Sequence, residues 1–252
     1  MFRSVKEFAF LSFFWVVTGI LLPILLPLAW YTRRSALRLP EAGGDAQGLF
    51  RRDSRKTIEI LVLGESTVAG VGVEDHQEGL GAAIAFHLSE NTGCSVHWQV
   101  LGKNRIDILG VIAKLVPQIP EDRLDYLIIC LGVNDTTGLT SLPTWRQRIT
   151  ELVNMIGRKS KCRVFFSELP PMGKFTALPQ PLRWIMGLRA SILNRALQQH
   201  AMMGRSFQLI PLGELKDPEF LAVDGYHPSK AGYFAWGKSI AEIIARQEHQ
   251  NC

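Results

Sequence analysis

Short, continuously apolar runs alternate along the chain with longer segments in which apolar residues recur every three or four positions. Continuous apolar runs are typical of strands buried on both faces of a parallel sheet, whereas the longer periodic segments are typical of amphipathic helices. The pattern predicts strands at residues 58–63, 96–101, 126–131, 163–168 and 207–210. It predicts helices at residues 77–90, 108–116, 143–156, 184–201 and 229–245.

This alternation of strands and helices predicts a fold of the α/β class. Parallel strands joined through a helix form right-handed βαβ units, which place helices on both faces of the sheet. We therefore expect a three-layer α/β/α sandwich around a five-stranded parallel sheet. In such sheets ligands bind beyond the carboxyl ends of the strands, so polar residues that directly follow strands are the candidates for function.

An uncharged, strongly apolar stretch of 24 residues, from Phe8 to Tyr31, precedes this pattern. A helix of this length spans about 36 Å, more than the ~30 Å hydrocarbon core of a bilayer. We expect residues 1–38 to form a transmembrane anchor with a basic flank, residues 39–56 a polar linker, and residues 57–252 the folded domain. A cleaved signal peptide is the main alternative, although no small-x-small site follows the apolar core. A third possibility for this stretch is a hairpin-like or surface-bound apolar segment.

The positive charge of the chain is concentrated beside this apolar stretch. Residues 1–56 hold nine Lys and Arg against four Asp and Glu, whereas residues 57–252 hold nineteen of each. A basic cluster next to an apolar segment suits anionic lipid headgroups, so we expect a membrane as partner. Because the folded domain carries no basic excess, we expect no nucleic acid. More basic residues follow the stretch than precede it, which favours the inner membrane with the domain on its cytoplasmic side.

The four cysteines have no paired spacing, and the chain contains neither a CxxC nor an HExxH motif. Cys130 and Cys162 lie inside apolar runs, where a free thiol behaves as a small hydrophobic side chain. The sequence therefore gives a metal site no support.

Two polar motifs follow predicted strands. Ser66, in Gly-Glu-Ser, comes directly after the strand at 58–63, and a sharp turn there would expose its hydroxyl beside free backbone N–H groups. Asn134, in Gly-Val-Asn-Asp, comes after the strand at 126–131, and its amide can donate a hydrogen bond to an oxyanion. Each motif by itself is more often a turn or a helix cap.

A third motif, Asp-Gly-Tyr-His, ends at His227, just before the last predicted helix. Asp224 lies three residues before His227, so within a loop both side chains can turn toward one point, where the carboxylate would fix the tautomer of the imidazole. A surface turn with an incidental histidine is the alternative for this motif alone. Together with Ser66 and Asn134, which lie at the same expected edge of the sheet, these residues make a candidate acyl-transfer site.

These motifs resemble the blocks of the SGNH (GDSL-type) hydrolase family, over about residues 57–246. The resemblance implies a flavodoxin-like three-layer fold and hydrolysis of an ester or thioester without a cofactor, as in a carboxylesterase or a lysophospholipase-like enzyme. It also implies roles for single residues: Ser66 as nucleophile, His227 as general base, Asp224 as its orienting acid and Asn134 as an oxyanion donor.

The chain departs from the family pattern in two places. Glu65 stands where aspartate is usual in the serine block. In the second block Gly102 directly ends the predicted strand, but counting back from the following helix places Arg105 in the family's glycine position. The family's donor there is a backbone N–H, so an arginine does not abolish it. Gly102 and Arg105 both therefore stay candidates for oxyanion or substrate binding.

The sequence leaves three functions open: a hydrolase, an acyltransferase that uses the same residues, and a non-catalytic membrane-anchored binding module. The expected partner of an enzyme would be a small acyl ester or a lipid-derived ester. A long, Pro-rich, apolar loop at residues 170–184 follows the fourth predicted strand. Such loops often bind ligands, so it either lines an acyl pocket or packs over the sheet edge.

Overall fold

The computed structural model describes residues 5–54, 56–121, 123–204, 206–212 and 218–249. Its helices are α1 Val5–Ser35, α2 Leu80–Thr92, α3 Ile108–Gly110, α4 Val133–Thr137, α5 Leu142–Lys159, α6 Leu182–Gly204 and α7 Lys230–His249. Its strands are β1 Gln47–Phe50, β2 Thr57–Gly64, β3 Ser95–Gly102, β4 Tyr126–Cys130, β5 Arg163–Ser167 and β6 Gln208–Ile210.

Within these ranges the strands form one sheet in the order β1-β3-β2-β4-β5-β6. Strands β3, β2, β4, β5 and β6 are parallel, which confirms the α/β class and the five predicted strands. Their order is that of flavodoxin-like sheets, in which the chain winds first to one side of the initial strand and then to the other. The winding reverses at β2, so the expected ligand crevice lies at the carboxyl ends of β2, β3 and β4.

The structure differs from the prediction at the edge of the sheet. Strand β1 pairs antiparallel with β3, Gln47 opposite Gln99, in a stretch that was expected to be linker. The strand has only four residues, Gln-Gly-Leu-Phe, without a β-branched side chain, so its sequence carries little strand signal. The predicted helix at 108–116 is also different, because α3 is a single turn that continues as a π-helical turn at Val111–Leu115.

Among the described residues, buried apolar side chains form two clusters, one on each face of the sheet. Trp145 and Ile149 of α5 belong to one cluster, and Trp98 of β3 and Ile240 of α7 belong to the other. The strand residues between them are buried on both sides, which is why their sequences are continuously apolar. The two layers hold the strand ends in register and so fix the floor of the site.

Helix α1 is long and apolar enough to cross a membrane over Ala9–Ser35, with a mean hydropathy of 2.3 in its most apolar 18-residue stretch, although a signal sequence has the same properties. One side of α1 packs on the domain, where Phe14 is fully buried. The guanidinium of Arg189 lies 5.7 Å from the Phe14 ring and that of Arg195 lies 4.4 Å from the Phe10 ring. Helices α1 and α6 therefore run antiparallel.

Candidate active site

Ser66 lies in the turn that follows β2. Gly64 ends this strand, level with Gly102 of β3 and Cys130 of β4. A Cβ atom on Gly64 would overlap the carbonyl group of Cys130, so only glycine lets the chain turn this close to the neighbouring strand. The Ser66 side chain is thereby held at the carboxyl edge of the sheet, and the residue is only 6% exposed.

The structure brings Ser66, His227 and Asp224 together in a hydrogen-bonded chain. His227 Nε2 lies 3.0 Å from Ser66 Oγ, and His227 Nδ1 lies 2.6 Å from Asp224 Oδ2. The backbone N–H groups of Tyr226 and His227 donate to Asp224 Oδ1 at 2.9 and 3.0 Å. Gly225 has φ +64° and contacts Thr176, so this tight turn needs a residue without Cβ.

The charge state of Asp224 follows from these contacts. Burial acts to raise the pKa of Asp224, but the hydrogen bonds from the His227 ring and from the two backbone N–H groups outweigh it and lower the pKa. An ionised carboxylate at Nδ1 keeps the proton of a neutral imidazole on that nitrogen. The lone pair of Nε2 then faces Ser66 Oγ, which is the arrangement that a general base requires.

Asn134 is the second residue of α4, and its backbone N–H donates to Glu65 Oε2, beside Ser66, at 2.9 Å. Its amide Nδ2 donates to the carbonyl oxygen of Ile106 at 2.9 Å, which fixes the direction of the amide group. An asparagine amide has two hydrogens, so one remains for a ligand. Through this bond the loop after β4 and the loop after β3 hold each other in place.

Glu65 is a buried residue whose function the sequence did not indicate beyond its departure from the family pattern. Its two carboxylate oxygens accept the backbone N–H groups of Val133 at 2.8 Å and Asn134 at 2.9 Å. The N-cap of α4 is Gly132, which has no side chain to satisfy these groups. Glu65 therefore caps α4 from the turn that follows β2. Burial raises the pKa of Glu65 to about 8, against the effect of the two hydrogen bonds.

We expect Glu65→Gln to flatten the dependence of stability on pH. Between the ordinary pKa of 4.5 and the raised value of about 8, folded Glu65 binds a proton that the unfolded chain has lost. The free energy of unfolding should therefore fall as pH rises through this window in the parent chain, and fall less in Glu65→Gln. Urea denaturation at pH 5 to 8.5 measures this dependence of the free energy of unfolding on pH. Glu242→Gln, at an exposed position of α7, is the control. Equal slopes in all three proteins would contradict the assignment.

Gly102 and Arg105 have different surroundings. A Cβ atom on Gly102 would overlap the backbone of Val68 and Ala69, so this glycine makes room for the segment that follows Ser66. Arg105 is exposed and has φ +60°, the left-handed conformation that favours glycine.

The N–H groups before Arg105 are occupied. Lys103 donates to the carbonyl oxygen of Gly64 at 3.3 Å, and Asn104 donates to Glu41 Oε1 at 2.6 Å. The N–H of Arg105 has no hydrogen-bond partner within the described ranges of the chain. It is thus the first N–H group of this loop that is available to a ligand.

The Pro-rich loop at 170–184 braces the site and also borders a cavity. Ala177 donates its N–H to the carbonyl oxygen of Gly225 at 3.1 Å, and the Phe175 ring lies 4.8 Å from the Tyr226 ring. A cavity of about 590 Å³ borders this loop, and Ser66 is not among its lining residues. Its lining includes Pro170, Pro171, Lys174, Trp184 and Asn194. Among the residues that the structure describes, no cluster of three His, Cys, Asp or Glu suits a metal ion.

A doubly wound sheet with a serine, an imidazole and a carboxylate in hydrogen-bonded series at its carboxyl edge defines the class of α/β serine hydrolases. The model of the GDSL-like lipase/acylhydrolase family matches residues 62–235. The chain therefore belongs to that family.

Individual relatives agree with this assignment. The chain is 30% identical over 201 residues to a GDSL-like esterase of Mycobacterium tuberculosis, a match that covers 76% of this chain and 63% of the relative. A solved lipase/acylhydrolase from Enterococcus faecalis superposes with a TM-score of 0.58 at 20% identity, over 75% of this chain and 96% of that one. A family 3 carbohydrate esterase from Clostridium thermocellum superposes with a TM-score of 0.57 at 17% identity, over 76% of this chain and 98% of that one. At these identities the solved structures show a shared fold.

Proposed function

We propose that this protein is a serine esterase that cleaves a carboxylic ester or thioester through an acyl-enzyme on Ser66. The observation that carries the proposal is the 3.0 Å contact between Ser66 Oγ and His227 Nε2, with Asp224 behind the imidazole at 2.6 Å. Membership of the GDSL-like lipase/acylhydrolase family supports an ester as the substrate.

The chemistry proceeds in two halves. His227 Nε2 takes the proton of Ser66 as Oγ attacks the carbonyl carbon, and the imidazolium then protonates the leaving alcohol or thiol. In the second half His227 activates a water, which attacks the acyl group and returns Ser66 to its free form. Asp224 orients the imidazole and stabilises its positive charge throughout.

The oxyanion of both tetrahedral intermediates needs fixed hydrogen-bond donors. In this proposal they are the backbone N–H of Ser66, the free N–H of Arg105 and the second hydrogen of the Asn134 amide. Gly102 contributes the space in which the turn after Ser66 lies. Glu65 holds the N-terminus of α4 and with it the position of Asn134.

The proposal is tested by labelling the full-length protein in mild detergent with a fluorophosphonate, which reacts only with an activated serine. We expect one adduct per chain, located on Ser66 by peptide mass spectrometry, followed by turnover of para-nitrophenyl esters. Absence of an adduct on folded protein, together with absence of ester turnover, would refute the proposal.

We expect Asn134→Ala to lower kcat about 10²- to 10³-fold, the usual cost of one oxyanion donor. Labelling at Ser66 should persist, because the nucleophile and its base are unchanged. The measurement is steady-state turnover of a para-nitrophenyl ester, with Thr137→Ala, an exposed position on the same helix, as control. A kcat close to that of the parent would remove Asn134 from the oxyanion hole.

We further propose that α1 anchors the enzyme in a membrane, as its length and apolar composition favour. The basic residues that follow the apolar stretch of α1, beginning with Arg33 and Arg34 in its last turn, favour the inner membrane with the catalytic domain on the cytoplasmic side. The division into an anchor at 1–38, a linker at 39–56 and a catalytic domain at 57–252 needs one change in this proposal, because β1 belongs to the sheet. The catalytic domain then begins near residue 41.

A further inference from the structure

The segment between α1 and β1 is tied to the candidate active site. We call residues 41–44 the strap. Glu41 Oε1 accepts the N–H of Asn104, in the loop after β3, at 2.6 Å. Ala42 donates its N–H to the carbonyl oxygen of Ala69, three residues after Ser66, at 3.0 Å. The strap thus bonds to both loops that flank the proposed oxyanion hole.

The other end of the strap is fixed as well. Gly43 donates its N–H to the carbonyl oxygen of Glu74 at 2.8 Å and accepts the N–H of His76 at 3.0 Å. The side chain of Asp75 fills the space over Gly44, which has φ +75°, so a larger residue would not fit this turn. The strap is therefore part of the rim of the site, and its position relative to Ser66 is set by backbone hydrogen bonds.

The strap lies very close to α1 along the chain. The helix ends at Ser35, so only residues 36–40 separate it from Glu41. Fully extended, this connection reaches about 20 Å. A helix that crosses a bilayer cannot keep its contact with α6, so α1 must leave α6 when it is inserted. In either position the catalytic edge of the sheet stays within about 20 Å of the last turn of α1.

That last turn has the features of a membrane boundary. Trp30 and Tyr31 are 60% and 63% exposed, and Arg33 and Arg34 follow them. Amphipathic rings next to basic residues are typical of the headgroup region of a bilayer. On the side of α1 that faces away from the domain, large apolar residues are exposed, namely Phe13, Trp15, Val16, Ile20, Leu22, Ile24 and Leu26. An exposed apolar face of this length suits the acyl chains of a bilayer.

We propose that the strap and its short connection hold the catalytic edge at the surface of the bilayer that contains α1, so that the enzyme takes its ester from amphiphiles of that same bilayer. This inference rests on the proposed esterase function and on the proposed membrane anchor. The bilayer surface supplies substrate at a high local concentration only while the connection is short. A substrate in another membrane is out of reach.

The test uses the full-length protein reconstituted in vesicles of phosphatidylcholine and phosphatidylglycerol that carry a fluorogenic long-chain acyl ester. Turnover is measured with the ester in the same vesicles as the protein, and then with the ester in separate, protein-free vesicles. We expect the same-vesicle rate to exceed the separate-vesicle rate by at least tenfold. Equal rates in the two arrangements would overturn the proposal.

A variant with a flexible Gly/Ser insertion of about 30 residues between Leu37 and Arg38 tests the reach itself. Effective concentration falls at least with the −3/2 power of linker length, so we expect the same-vesicle rate to drop roughly tenfold or more. Soluble para-nitrophenyl butyrate should be cleaved equally by both proteins, because the insertion leaves the strap intact. An unchanged same-vesicle rate would overturn the role of the short connection. If neither the parent nor the insertion variant cleaves para-nitrophenyl butyrate, the esterase function itself is refuted.

Discussion

Ser66→Ala is expected to abolish fluorophosphonate labelling and to lower ester turnover on the order of 10⁶-fold, the scale seen when a catalytic serine is removed from a serine hydrolase. The methyl group of alanine has neither the oxygen that attacks the carbonyl carbon nor the proton that His227 accepts. The surrounding structure should change little, because the hydroxyl is bonded to His227 and the backbone turn is set by Gly64. Intact mass after labelling and initial rates with a para-nitrophenyl ester measure the two effects.

The matched control is Ser239→Ala on α7, whose hydroxyl bonds only to a carbonyl oxygen of its own helix, at Ala235. This variant should be labelled by the fluorophosphonate and should turn over the ester as the parent does. Thermal unfolding of both variants separates chemistry from folding. Retention of more than about one hundredth of the parent activity in Ser66→Ala would mean that another residue is the nucleophile, because a water-only background in such sites is far lower.

Asp224→Asn is expected to lower kcat about 10⁴-fold with little change in KM. In the parent protein the Asp224 carboxylate holds the imidazole proton on Nδ1 through a 2.6 Å contact. An asparagine amide can instead donate to Nδ1, which moves the ring proton to Nε2, where it faces Ser66 and blocks proton transfer from the hydroxyl. The defect is one of tautomer and orientation, so Ser66 should remain in place.

The control for this prediction is Asp125→Asn, at the opposite edge of the sheet. Asp125 accepts the N–H of Glu59 at 2.9 Å and pairs with Arg123, so its replacement should affect stability and leave kcat unchanged. A pH–rate profile of Asp224→Asn adds a second readout. If kcat of Asp224→Asn stays within tenfold of the parent across pH 6 to 9, Asp224 does not orient the catalytic base.

Much of the fold could be predicted because its signals are local. A strand such as β4 is buried on both faces, and that burial requires an unbroken apolar run that is visible without any knowledge of its neighbours. The position of Ser66 and Asn134 at one edge could also be predicted, because parallel strands bring their carboxyl ends to one edge. No strand directly precedes the loop with Asp224 and His227, so strand order alone does not place that loop at this edge.

The contacts that the sequence did not predict are pairings between distant segments. Glu65 and Val133 are 68 positions apart, and Glu41 and Asn104 are 63 positions apart. In both cases a carboxylate satisfies a backbone N–H, and every residue except proline offers that donor, so the partner leaves no signature in the sequence. Strand β1 was missed for a related reason, because its pairing with β3 depends on the partner's exposed edge more than on its own four residues.

The sequence by itself thus determined the α/β class, the parallel strands and the residue types at the carboxyl edge, because burial and strand geometry act on consecutive residues. Only the tertiary structure decided how the edge is braced, by Glu65 over α4 and by the strap over the loops beside Ser66. Those contacts depend on where folded layers bring backbone donors and buried charges together, and local patterns do not encode that position. The short connection between α1 and the strap matters for the same reason, because only the tertiary structure places the strap beside the active site.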